Sequence, residues 1–136
     1  MITPPLLGVY QEPEYRRVFG DLQRQHAEAL LVSDDAVLFA HTSLIIDLVQ
    51  QARLPALFPY REFVTVGGLM AYAIDVHDMW ANAARYADMV LKGTKPDEIP
   101  VYQVHKFTTI INLKTAKALG ITIPPTLLAR ADEVIE

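Results

Sequence analysis

The sequence predicts an α/β fold built on a mainly parallel sheet flanked by helices, and three observations predict it. First, short apolar runs bounded by turn residues, Ala29–Val32, Ala56–Pro59 and Leu69–Ala73, suit strands buried on both faces. Second, segments of helical period lie between and after those runs, and a βαβα alternation means α/β. Third, polar corners come directly after the runs: Ser33-Asp34-Asp35, Tyr60-Arg61-Glu62 and Asp75. Open α/β sheets place their ligand chemistry at such strand ends.

Taken in order, Met1–Pro13 carries three prolines and a glycine and reads as an extended arm. Leu6–Tyr10 is at most an edge strand within it, limited by the prolines. Residues 14–136 form a single α/β domain. Its first helix, Glu14–Ala27, sets Tyr15, Val18, Phe19, Leu22 and His26 on one face, with Gly20 weakening it slightly. The strand Ala29–Val32 ends in the acidic corner, a loop comes next, and a helix runs from about Ala40 to Arg53 with Leu44, Ile45, Leu48, Val49 and Ala52 inward.

The stretch Leu54–Asp75 organises the rest. A strand over Ala56–Pro59 enters the Tyr60-Arg61-Glu62 corner, one helical turn succeeds it, and Gly67-Gly68 breaks the chain before the strand Leu69–Ala73. Asp75 caps a helix that runs to about Lys92, with Asp78 in its first turn and Met79, Trp80, Ala83, Ala84, Ala87, Val90 and Leu91 as its apolar face. Val101–Ile111 reads as extended, bent near His105-Lys106. Asn112 caps a short helix, Leu113–Leu119, stopped at Gly120. Pro124-Pro125 opens a final helix over Thr126–Ile135, since proline suits the first helical turn.

Composition narrows the function. The 136 residues allow one domain with a real core, and a net charge of −4, with 12 scattered basic residues, argues against nucleic acid. The chain has no cysteine, which excludes disulfides and thiolate chemistry. No stretch reaches the roughly 20 apolar residues of a membrane span. The N-terminus has no signal-peptide pattern, so the chain as written is expected to stay in the cytosol.

Each candidate site residue has two readings. Ser33, Asp34 and Asp35 suit hydrogen bonds to a ligand's amine or hydroxyls, and equally a helix cap and turn. Tyr60 offers an aromatic wall. Arg61 offers a planar fork for a carboxylate, or an internal pair with an acid such as Asp34 or Glu62. Tyr72 lies in a strand whose alternate side chains face opposite sides. Gly67-Gly68 either lets a ligand approach the backbone or ends a helical turn; it lacks the lysine and spacing of a P-loop. Asp75, His77 and Asp78 are explained by capping and exposure rather than by a metal. His26, His41 and His105 are far apart in sequence and have no triad-like context. The expectation is a non-enzyme without cofactor or metal.

Several phrases carry a family resemblance: Tyr15-Arg-Arg-Val-Phe19, Ala29-Leu-Leu-Val-Ser33, Leu54-Pro-Ala-Leu-Phe-Pro-Tyr-Arg-Glu-Phe63, Gly67-Gly-Leu-Met-Ala-Tyr72, Ile99-Pro100, Lys106-Phe107, Ile111-Asn-Leu-Lys-Thr-Ala-Lys-Ala-Leu-Gly120 and Ile123–Ile135. In this order they resemble the solute-binding components of a bacterial ABC transporter family. The resemblance implies one incomplete lobe of a type I periplasmic-binding-protein fold. It also implies a small organic solute, such as an amino acid, as ligand, an ABC permease as partner, and a periplasmic location. Family members are more than twice this length. The Trp80 helix would pack on a lobe this chain lacks, so a homodimer is expected to cover the apolar surface left over. Two other readings remain: an interaction or assembly module, and a cytosolic small-molecule sensor.

Overall fold

The structure, a computed structural model, describes residues 11–103 and 105–136. Five strands make one sheet in sequence order: β1 (Leu30–Leu31), β2 (Ala56–Phe58), β3 (Met70–Ile74), β4 (Phe107–Asn112) and β5 (Glu133–Ile135). The pairs β1–β2, β2–β3 and β4–β5 are parallel, and β3–β4 is antiparallel. The helices are α1 (Glu12–Arg24), α2 (Ala36–Ala40), α3 (Thr42–Ala52), α4 (Arg61–Thr65), α5 (Val76–Leu91), α6 (Leu113–Leu119) and α7 (Pro125–Leu128). The predicted class, α/β with a mainly parallel sheet, is the observed one.

The main core cluster packs on one side of the sheet, and Ile111 is buried on the other. Tyr15, Phe19 and Leu22 of α1, Ile45, Leu48 and Val49 of α3, and Phe63 and Val64 of α4 pack on Ala56, Phe58, Ala71, Ala73 and Ile110. Phe58 and Phe63 stack with centroids 4.9 Å apart. Gly68 lies against this pair, where a Cβ would come within 2.8 Å of both the Phe58 ring and the Phe63 carbonyl oxygen. Small alanines alternate along β3 because the helices approach closely there.

Asp75 caps α5 by accepting from the Asp78 amide at 3.0 Å. Asn112 caps α6 through the Thr115 amide at 3.0 Å, and Gly120 ends that helix at φ 74°. Asn112 is also the buried polar side chain of the sheet. It spans two elements, donating from Nδ2 to the Val64 carbonyl at 3.2 Å.

Four expectations are corrected. The final helix stops at Leu128, and Glu133–Ile135 is instead β5. Pairing with β4 supplies backbone partners that a helix would otherwise provide, and Ile135 packs against the core. Tertiary pairing outweighs helical propensity there. The helix expected from about Ala40 to Arg53 is α3, but the loop expected before it is helical: Asp35 caps α2 at once by accepting from the Val37 amide at 2.7 Å. The first helix spans Glu12–Arg24 rather than Glu14–Ala27, ending before His26 at φ 54°. The extended Val101–Ile111 segment forms a strand only from Phe107. Glu12 and Pro13 of the expected arm are in α1; Leu6–Tyr10 lies outside the described residues.

Candidate functional site

Strands β1 and β2 run parallel and end together, so the corners beyond them are neighbours. The Val32 amide donates to the Leu57 carbonyl at 3.0 Å, carrying the ladder up to Ser33. Past that point the Tyr60 hydroxyl donates to Asp34 Oδ1. That bond joins two residues 26 positions apart and makes one ledge from the two strand ends.

An aromatic side chain completes the ledge. Phe39 of α2 meets the Tyr60 ring edge-on, with centroids 5.2 Å apart and planes at 76°, and Phe63 at 6.4 Å. The sequence pattern alone leaves Phe39 in a loop; the Asp35 cap was the available signal for a helix there. Ser33 makes no side-chain hydrogen bond among the described residues, and Asp35 is occupied by its cap on α2.

The ledge is acidic. Tyr60 is pushed up to about 12, first by its hydrogen bond to Asp34, then by burial, then by the charges of Asp34, Glu62 and Asp35. The neighbouring cation is turned away. Arg61 donates to both carboxylate oxygens of Glu133, Nε to Oε2 at 2.8 Å and Nη2 to Oε1 at 2.6 Å. Its acid is therefore on β5, and is neither Asp34 nor Glu62. This pair holds the Glu133 carboxyl below its ordinary range and raises Arg61.

Tyr72 stands elsewhere. Its neighbours Ala71 and Ala73 face the core, so it points from the opposite face of the sheet, stacked on Phe107 at 4.9 Å with planes 8° apart. The structure therefore brings together Ser33, Asp34, Asp35 and Tyr60, adds Phe39, engages Arg61 internally and sets Tyr72 apart.

The chain leaves the sheet at Asp75 and returns at Lys106. The Asp75 amide donates to the Lys106 carbonyl at 3.1 Å, and Lys106 Nζ approaches Asp75 Oδ2 at 2.6 Å. Lys106 first, then the helix amides, lowers Asp75, and Lys106 is raised in turn. Asp78 accepts from the Tyr102 hydroxyl and from Asn82. Among the described residues no group of three or more His, Asp or Glu gathers around a possible metal position.

A groove of about 770 Å³ lies at the other end of the sheet, lined by Gln50, Arg53, Gly67, Lys114 and Thr115 among others. It is remote from the ledge, since Arg53 and Gly67 precede β2 and β3. Its inner polar groups are already bonded to one another: Gln50 and Thr115 both donate to the Gly67 carbonyl. The ledge, at the carboxyl ends of two parallel strands, is the better candidate for ligand contact. It offers an acceptor, a hydroxyl and aromatic edges, which is equipment for binding.

Among known proteins, the family model described as ABC transporter substrate binding protein matches residues 18–135. A comparison with curated protein sequences found no match. A Streptococcus pneumoniae ABC domain solved in complex with L-Trp is 30% identical, with a TM-score of 0.83, over 93% of this chain and 43% of its own. A conserved domain protein from Vibrio cholerae has a TM-score of 0.82 at 22% identity, over 91% of this chain and 42% of its own. A ligand-free, open substrate binding protein with adhesive properties from Clostridium difficile has a TM-score of 0.64 at 19% identity, over 94% and 42%. The chain thus spans less than half the length of each of these structures.

Proposed function

Since the chain belongs to the ABC transporter substrate binding protein family, we propose that it supplies one wall of the solute-binding cleft of an ABC-type import system. The observation that carries this reading is the Tyr60–Asp34 hydrogen bond across the carboxyl ends of β1 and β2, the position where open α/β sheets take ligands. Phe39 and Tyr60 form the apolar part of the wall and Asp34 the polar part. The solute is a small organic molecule of amino-acid type, because the 30% identical relative was solved with L-Trp. Binding is non-catalytic. A second wall closes over the solute, and the closed form is what an ABC permease recognises in the periplasm. Closure requires contacts that the open form lacks.

Isothermal titration of the chain with a panel of amino acids, L-Trp first, tests the reading. Binding that weakens in Tyr60→Phe and Asp34→Asn supports it. Heats absent for the whole panel, or unchanged in both variants, overturn it.

A second reading, an assembly module acting as a homodimer, has a specific observation of its own: no residue of α5 is buried, and Trp80 is 65% exposed. A dimer that takes up no solute favours that reading over the first.

A further inference from the structure

Arg61, just past β2, and Lys106, just before β4, stand near the carboxyl end of the parallel strands, and an acid holds each of them. Lys106 Nζ lies 2.6 Å from Asp75 Oδ2, and Arg61 gives two hydrogen bonds to Glu133. The acid of the ledge is left differently. Among the described residues the Asp34 carboxylate has one hydrogen-bond partner, the Tyr60 hydroxyl, and no ion pair. That bond commits the Tyr60 proton. What the two residues have left for a solute is acceptors: the second Asp34 oxygen and the phenol oxygen. A primary ammonium has three donors and no acceptor, so it suits them. A carboxylate would meet like charge and no free donor there. The Ser33 hydroxyl can serve either sign and does not decide between them.

We infer that the ledge takes the ammonium end of its solute, and that Glu133 sets this preference as a positioning residue by keeping the Arg61 guanidinium on β5. The preference rests on the cleft-wall reading of the ledge. Arg61 follows Tyr60 directly, its Cα about 3.8 Å away, and yet its guanidinium ends on Glu133. Released from that partner, it is the cation placed to neutralise Asp34 and to offer a carboxylate its planar fork. Glu133 itself is too distant to act on the solute. With β3 and β4 between them, strand spacing sets β5 about 14 Å from β2. Exposed charges are largely screened beyond about 8 Å at physiological salt.

Phenethylamine and 3-phenylpropionate carry opposite charges on the same aromatic body, which Phe39 and Tyr60 can receive alike. Amide chemical-shift titration of the labelled chain at neutral pH and about 0.15 M salt compares them. At residues 33–39 and 58–63 phenethylamine should bind at least about tenfold more tightly, the worth of one hydrogen bond to a charged group. Arg61→Gln should keep that ratio, since Arg61 is already off the ledge. Glu133→Thr, a strand former too short to hold Arg61, should narrow it about two- to fivefold, the range of an exposed ion pair. Adding Arg61→Gln to Glu133→Thr should restore it. Should Glu133→Thr lose its fold, Glu133→Gln keeps the side-chain length, gives up the charge and should narrow the ratio in the same direction. A pair that only ties β2 to β5 would leave the ratio alone, so a ratio that the Glu133 variant does not move overturns the role of Glu133. A ratio that Arg61→Gln alone narrows as far does the same. Equal binding of the two probes, or tighter binding of 3-phenylpropionate, overturns the inference and leaves the cleft-wall reading standing. Ledge amides that respond to an amino acid but to neither probe also overturn the inference alone. Amides that respond to none of these overturn the cleft-wall reading as well.

Discussion

Arg61 and Glu133, 72 residues apart, are joined by two hydrogen bonds of 2.8 and 2.6 Å that tie the end of β2 to the start of β5. The pair takes the ledge's nearest cation out of play and leaves Asp34 as its exposed charge. Both side chains are more than a third exposed, at 54% and 36%, so solvent screens the pair and its worth is about 0.5 kcal/mol. Arg61 depresses the Glu133 carboxyl. The stabilisation is therefore present above the ordinary carboxylate range and is lost as pH falls through the folded-state value. Urea unfolding of wild type and Glu133→Gln should differ by that small amount at neutral pH and coincide in strong acid.

Tyr60, pushed up to about 12, should ionise late. In an alkaline titration followed by tyrosinate absorbance, its signal should lie above the ordinary tyrosine value of about 10. Asp34→Asn removes the largest cause and should move Tyr60 down toward that value. Tyr102, raised by its bond to Asp78, should not respond to that substitution. The sign for stability is opposite to that of Glu133. What Tyr60 contributes is complete below the ordinary tyrosine pKa and is lost as pH rises through about 12.

Asn112 does two jobs in a buried position. Asn112→Ala removes the α6 cap and leaves the Val64 carbonyl without its side-chain donor, a combined cost of roughly 2–4 kcal/mol. Asn112→Asp keeps an acceptor for the Thr115 amide and loses the donor, so its cost should be intermediate. Equilibrium urea unfolding of the three proteins checks the order.

Two glycines should respond in opposite directions to alanine. Gly68→Ala drives a Cβ to within 2.8 Å of the Phe58 ring and the Phe63 carbonyl, and such overpacking costs about 1–3 kcal/mol. Gly20 sits inside α1 with its nearest neighbour, Arg24, 3.9 Å from the added atom. Gly20→Ala should stabilise by about 0.5–1 kcal/mol through helix propensity. Thermal melts of the two variants read both signs.

Local signals were the most legible part of the fold. Asp75 and Asn112 announce α5 and α6 by their caps, and Gly120 marks the end of α6. Where the answer depends on a distant partner, local reading fails. Pro124-Pro125 does start a helix, yet Glu133–Ile135 becomes β5, because β4 lies ready to pair. The site divides the same way. Asp34 and Tyr60 are readable as strand ends, whereas the Arg61–Glu133 link depends on β5, and Phe39 on a helix that begins at Asp35. Tyr72 shows the limit of two-residue periodicity. It tells that Tyr72 opposes Ala71 and Ala73, and only the placement of α1, α3 and α4 decides which side is the core.

A small solute resting on the ledge of Asp34, Tyr60 and Phe39 should announce itself in the backbone amides beneath it. Amide chemical-shift mapping of the labelled chain, titrated with L-Trp, reads that contact residue by residue. Saturable shifts confined to residues 33–39 and 58–63, abolished in Asp34→Asn, are the expected result. Shifts that cluster instead around Arg53, Gly67 and Lys114, or no shifts with any amino acid, would mean that the ledge is not where solute binds.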